Sequence, residues 1–200
     1  MIAGNFEDKY NSKNPISKLL VRNFLKTFQK LLLVSTSPKN IVELGAGEGE
    51  LIKVVLKCLP GANVWGSDIS KKVIDKAKKN LHGQKVRLGV ENIEKLSYRG
   101  NSFDLVICCE VLEHVENPEK ALREIRRITR GRIILSVPQE PLWRVLNIAR
   151  GKYLRDFGNT PGHLNHFTPF QFSRLVERCG FKILLKKYPL PWQMVLAKPR

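Results

Sequence analysis

Val42-Glu43-Leu44-Gly45-Ala46-Gly47-Glu48-Gly49 runs from a short apolar strand (residues 41–44) straight into a helical pattern, Leu51, Val54, Val55 and Leu59, that stops at Pro60-Gly61. Glycines at such a strand-to-helix turn permit positive φ and let a ligand approach the backbone with no Cβ in the way. A dinucleotide loop of the form GxGxxG wants its third glycine where Glu50 stands, and Glu48 and Glu50 would repel a pyrophosphate. Glu43, two residues before the first glycine, suits a ligand that carries positive charge. Nineteen residues beyond Gly49 comes Asp68, at the end of a second strand-like segment, residues 63–66. A carboxylate there can accept both hydroxyls of a ribose. The competing reading is a helix cap beside Ser70, and the glycine loop at the right distance favours the ribose.

Outward from this pair the chain alternates. A helix over residues 15–34, opened by Pro15, precedes the glycine loop and stops at Ser35-Thr36-Ser37-Pro38. After Asp68 come a helix capped by Ser70, strands at 86–90 and 103–109, a helix opened by Asn117-Pro118 and a strand at 133–137. Thr168-Pro169-Phe170-Gln171 reads as a capping box for a helix ended by Gly180, and residues 181–186 and 192–197 close as an antiparallel pair. Alternation at this pitch predicts an α/β fold: a doubly wound, mostly parallel seven-stranded sheet, Rossmann-like, with ligands outside the carboxyl ends of its strands. The expected organisation is a single domain over 1–200. It comprises a helical cap (1–40), a ligand-binding half (41–140), an insertion or lid (141–167) and a closing helix with a strand pair (168–200).

VELGAGEGEL (42–51) resembles the first motif of the class I S-adenosylmethionine-dependent methyltransferases, and WGSDIS (65–70) resembles their acidic second motif. VRLGVENIEKL (86–96), FDLVICCEVLEHVENPEKALREIRRI (103–128) and RGRIILSVP (130–138) resemble the group that includes the ubiquinone-biosynthesis O-methyltransferases. The likeness runs from about Lys9 to Lys198. It implies that S-adenosyl-L-methionine is the cofactor. Gly45, Ala46, Gly47 and Gly49 would hold its methionine and ribose part, Asp68 the ribose hydroxyls, and Ile69 the adenine. Asn92, followed by Ile93, stands where the third motif usually has an Asp for the adenine amine; its carbonyl oxygen can still accept a hydrogen bond. Glu110 completes the expected cofactor set.

Methyl transfer from a sulfonium to a hydroxyl or amine must also release a proton, so a general base helps. His166, in the loop over 158–169, and His114, straight after the fourth strand, are the candidate catalytic residues. The resemblance makes a divalent metal conceivable at Glu110, Glu113 and His114; the weightier reading is that these belong to the turn and that there is no metal. Nothing like Asn/Asp-Pro-Pro-aromatic follows the fourth strand, where Cys108-Cys109-Glu110-Val111 stands. In related enzymes that motif typically holds the exocyclic amino groups of nucleobases, so the resemblance disfavours them as acceptors.

Composition bounds the partners. The 200 residues carry a formal net charge of +17, and residues 141–200 alone hold 11 basic and 2 acidic side chains. Leu142, Val145, Leu146, Ala149 and Tyr153 form an apolar helical stripe, with Arg144 and Arg155 opposite and Arg150 and Lys152 flanking. That pattern suits either a lid over the site or a peripheral contact with an anionic membrane. The acceptor read from all this is a small or lipid-linked molecule, methylated at oxygen. The alternative is RNA, bound or methylated through the basic surface. Four cysteines without CxxC spacing, a polar N-terminus and no long apolar run point to a cytoplasmic protein, with attachment at the inner membrane face as a further option. Oligomeric state is not legible.

Overall fold

The computed structural model describes residues 14–35 and 37–200. The N-terminal stretch read for targeting and Thr36 of the predicted helix stop lie outside the described residues. Helix α1 (Pro15–Leu33) opens on Asn14, whose side chain accepts from the amides of Ile16 and Ser17, with Pro15 in the first turn. Then follow β1 (Asn40–Leu44), α2 (Glu50–Cys58), β2 (Asn63–Asp68), α3 (Lys71–Asn80), β3 (Val86–Val90) and β4 (Phe103–Cys109). The second half comprises α4 (Pro118–Ile128), β5 (Thr129–Pro138), α5 (Leu142–Ala149), a 3-10 turn (Leu154–Asp156), α6 (Pro169–Arg178), β6 (Phe181–Lys187) and β7 (Trp192–Pro199).

The seven strands form one sheet in the order β3-β2-β1-β4-β5-β7-β6. β1 to β5 run parallel, and β7 enters antiparallel between β5 and β6. β4 is central and buried from Leu105 to Cys109, as its unbroken apolar run requires. Each face carries its own core. Leu122, Ile125 and Ile128 of α4 with Phe172 and Val176 of α6 cover one face, and Phe24, Phe28 and Leu32 of α1 with Ile52 and Val55 of α2 cover the other. Phe24 also meets Trp192 of β7 edge-on, 5.1 Å between ring centroids.

Two expectations shift. β5 begins at Thr129, four residues before the predicted 133, because Thr129 turns its hydroxyl to the Ile125 carbonyl (2.6 Å) and the chain passes from α4 into the sheet without a loop. In the insertion, α5 ends at Ala149 and does not run on to Tyr153. Its inward face holds Trp143, Leu146 and the fully buried Asn147, while Val145 and Ile148 point outward, 55% and 45% exposed. Asn147 sets this rotation: its amide donates to the Gly158 carbonyl (2.8 Å) and the Thr160 hydroxyl (3.2 Å). A count of apolar spacing cannot register a polar residue buried by its hydrogen bonds.

Asp104 ties the entry of the sheet together. Its carboxylate accepts from Arg130 Nε (2.8 Å) and from the amides of Asn40 (2.8 Å) and Lys39 (3.1 Å). The Arg130 hydrogen bond, more than the two amides, holds its pKa below the usual carboxylate range. A folded-state pKa below the unfolded one gives stability that is present above the unfolded value and lost as pH falls through the folded one. Unfolding free energy is therefore expected to fall as pH drops below about 4, and Asp104→Asn should flatten that part of the curve. Urea denaturation from pH 7 to pH 3 checks both.

Candidate active site

Between β1 and β4 the strand order reverses, and the carboxyl ends of β1, β2 and β4 open onto a cavity of about 320 Å³. The glycine loop forms one lip. Gly45, Gly47 and Gly49 all have positive φ (72°, 55° and 91°), and a Cβ on Gly45 would lie 2.2 Å from Val111 Cγ2. Asp68, at the end of β2, accepts from the Gly47 amide (3.2 Å) through one oxygen and from the Ser70 amide (3.0 Å) through the other. This carboxylate thus braces the start of α3, as the cap reading has it, and also holds the glycine loop at the cavity wall.

Of the residues named from the sequence as cofactor-binding, Gly45, Gly47, Asp68, Ile69, Ile93 and Glu110 line this cavity. Ala46 and Gly49 shape the loop from behind: the Ala46 amide donates to the Ser67 carbonyl (2.8 Å) and Gly49 precedes the first turn of α2. Glu43 is buried within β1 and lines neither cavity described here. Asn92 also lies off the wall, its carbonyl oxygen taken by the Glu94 amide (2.9 Å). Glu91, one residue earlier, lines the cavity and is held by the amide (3.0 Å) and hydroxyl of Ser97. The motif places an acidic or amide side chain after β3, but which of two neighbours faces inward depends on where the strand's pleat ends.

A second cavity, about 370 Å³, adjoins the first. Ile16, Leu20 and Val21 of α1, Trp143, Leu146 and Ala149 of α5, and Trp192 give it apolar walls. Glu113, His114 and His163 supply polar groups, and Arg150 contributes a charge. Glu110 and His114 line both cavities and so stand at their junction. Glu110 has φ 61°, unusual for a residue with a side chain, and its Oε1 accepts from Ser136 Oγ (2.9 Å).

His114 Nδ1 lies 2.9 Å from the Gly162 carbonyl oxygen. A carbonyl only accepts, so Nδ1 carries the proton and Nε2 is the basic nitrogen of the neutral ring. The same loop is clamped to the turn after β4 by further bonds. The amides of Leu164 and Asn165 donate to the Glu113 carbonyl (2.8 and 3.0 Å), and the Asn165 side chain donates to the carbonyls of Leu112 (3.1 Å) and Val115 (2.7 Å). His163 is thereby buried, 4.9 Å from the His114 ring and stacked at 5.9 Å on Trp143. His166, three residues on, is exposed, bonded to Asn159 (2.8 Å), and lines neither cavity. Cys108 and Cys109, at the end of β4, are both buried, and burial pushes the Cys108 thiol well above its ordinary range.

The sequence model of the methyltransferase domain matches residues 16–186. The chain belongs to the methyltransferase-domain family. That family uses S-adenosyl-L-methionine as donor, and its fold is the one described above. Among curated relatives, the ubiquinone biosynthesis O-methyltransferase of Aeromonas salmonicida is 29% identical over 153 residues, covering 72% of this chain and 63% of the relative. The enzyme of that name from Dechloromonas aromatica is 35% identical over 108 residues, 52% of this chain and 46% of its own. The chain thus spans about half to two-thirds of the length of these relatives. Two solved structures share the fold. Magnesium protoporphyrin IX methyltransferase from Synechocystis, with bound SAH, has a TM-score of 0.72 at 20% identity, covering 96% of this chain and 91% of the other. A Pyrococcus horikoshii protein has a TM-score of 0.74 at 18% identity, covering 100% and 97%.

If Asp68 braces the loop and meets the ribose, Asp68→Ala should weaken cofactor binding at least tenfold, about 1.4 kcal/mol. Calorimetric titration with S-adenosylmethionine checks this, and an unchanged affinity would remove Asp68 from the binding set.

Proposed function

We propose that this chain transfers the methyl group of S-adenosylmethionine to a hydroxyl oxygen of a small apolar or lipid-linked acceptor seated in the second cavity. The observation that carries this reading is the junction: a polar, glycine-lipped cavity and an apolar one meet at Glu110 and His114. A displacement needs the attacking atom on the far side of the methyl carbon from the sulfur, and two abutting cavities supply that arrangement. As the O–CH3 bond forms, the S–CH3 bond breaks and its electron pair stays on sulfur, which loses its positive charge. The acceptor's proton passes to His114 Nε2, whose basicity the Gly162 carbonyl secures through Nδ1. Gly45, Gly47, Asp68, Ile69 and Ile93 hold the donor, and the Glu110 carboxylate lies beside the sulfonium's path.

Apolar walls from α1, α5 and Trp192 support an acceptor with a hydrocarbon or ring body, and the names of the curated relatives point the same way. The insertion over 141–167 serves as the lid of this cavity. Its outward side carries Val145, Ile148, Leu154 and Phe157, the last 75% exposed, among Arg144, Lys152 and Arg155. Apolar tips set among cations support peripheral contact with an anionic lipid surface. None of the described helices is long and apolar enough to cross a membrane. An RNA acceptor is not favoured, because Arg150 is the one lysine or arginine among the described residues that line this cavity, where a nucleic-acid groove would be cationic along its length.

Transfer of labelled methyl from S-adenosylmethionine into a cell extract, followed by organic partition, tests the acceptor class. Protein-dependent label is expected in the organic phase, and label confined to a ribonuclease-sensitive aqueous fraction would overturn the reading. On that acceptor, His114→Ala should lower turnover by roughly a hundredfold or more, the scale of general-base catalysis. His166→Ala should leave turnover near wild type.

A further inference from the structure

Helix α5 measures out the length of the second cavity. Trp143, Leu146, Asn147 and Arg150 follow one another at the spacing of a single helix face, and all four line that cavity. Trp143 marks the inner end: its indole stacks on His163 at 5.9 Å, and the His163 ring lies 4.9 Å from His114. Arg150 caps the other end of the helix and is exposed, two turns or about 10 Å further along the axis.

The guanidinium is aimed by its neighbour. Asn147 is 1% exposed, and its amide donates to the Gly158 carbonyl and the Thr160 hydroxyl, which leaves its Oδ1 as an acceptor. Arg150 donates to that oxygen through Nη2 and to the Leu146 carbonyl through Nε (3.3 Å). The two bonds tie one edge of the planar group to α5. The Nη1 hydrogens and the second Nη2 hydrogen have no protein partner among the described residues, and no described carboxylate pairs with Arg150. The cavity is polarised as a result: Glu110 and Glu113 line it at the junction, and Arg150 lines it at the mouth.

A wholly neutral ligand entering here would strip water from those donors and return no acceptor to them. A carboxylate would accept two of them side by side, in charge-assisted bonds. The same group could not take the inner place, against the carboxyls of Glu110 and Glu113. We propose that the acceptor is an elongated amphiphile whose carboxylate pairs with Arg150 at the cavity mouth while its hydroxyl lies at His114, so that Arg150 sets which end of the molecule enters first. This inference rests on the acceptor-cavity reading above and narrows it to an acid.

The test titrates the full chain with decanoate and, separately, with decanol, the same alkyl chain under an anionic or a neutral head. Binding is followed by the fluorescence of Trp143 and Trp192 in the cavity wall. Decanoate is expected to bind about tenfold more tightly. Arg150→Gln should abolish that preference by weakening decanoate and leaving decanol unchanged, and Arg150→Lys should keep part of it. Arg155→Gln, on the lid but outside the cavity, should keep all of it. Equal affinity of the unaltered chain for the two probes, or a preference that survives in Arg150→Gln, would overturn the proposal. So would a preference that arises only when phosphatidylglycerol vesicles are added, which would assign the guanidinium to a lipid surface. Calorimetry with S-adenosylmethionine on the same preparations separates the two readings. Equal binding of both probes removes the anion subsite alone; failure of both to bind a chain that still takes up S-adenosylmethionine removes the acceptor-cavity reading with it.

Discussion

A parallel sheet whose strand order reverses cannot close its own centre. β1 sends its crossover helix toward β2 and β3, and β4 returns to lie on β1's other side. The two chains leaving β1 and β4 part in opposite directions, so a crevice opens at their carboxyl ends. The candidate site residues of β1, β2 and β4 gather at that gap. The glycine loop is the exit of β1, Asp68 the exit of β2, and the turn from Glu110 to Val115 the exit of β4. The apolar packing of β4 on both faces fixes where its exit lies. A strand buried this deeply cannot slip in register without exposing Leu105 to Cys109 or burying Asp104.

The second organising contact joins the turn after β4 to the loop before α6. Five hydrogen bonds link Gly162–Asn165 to Leu112–Val115, four of them ending on backbone carbonyls of the turn and one running from the His114 ring to the Gly162 carbonyl. At about 1 kcal/mol net each, they are enough to order a loop with little regular structure of its own. One set of bonds thus performs two tasks. It brings the insertion over the second cavity, and it carries His163 to the side of His114 and Glu113. Asn165 is the economical element, since its amide spans two carbonyls that the tight turn leaves outside any helix or strand.

The lid's asymmetry follows from the same economy. Asn147 and Trp143 face inward because their polar atoms find Gly158 and Thr160 there, and Val145 and Ile148 are left outside. A helix apolar on both sides suits an element that covers a hydrophobic chamber and also meets a second apolar phase. The excess of arginine and lysine in the insertion keeps that outer face soluble and gives it a sign.

By itself the sequence determined the sheet, its seven strands within a few residues, the capping box at Thr168 and the glycine loop with Asp68 nearby. These depend on local signals: hydrophobic period, glycines where φ must be positive, and cap residues beside prolines. Tertiary structure decided what depends on side chains brought from distant segments or on the last degree of a turn. Glu91 faces the cavity and Asn92 does not, because the β3 pleat ends there. His163 meets His114 across nearly fifty residues of chain, and His166, equally plausible by position, faces solvent because Asn159 holds it. Spacing along a chain reports which residues share a face of one element. Only packing reports which faces of different elements are brought together, and the polar groups of an active site are recruited in that second way.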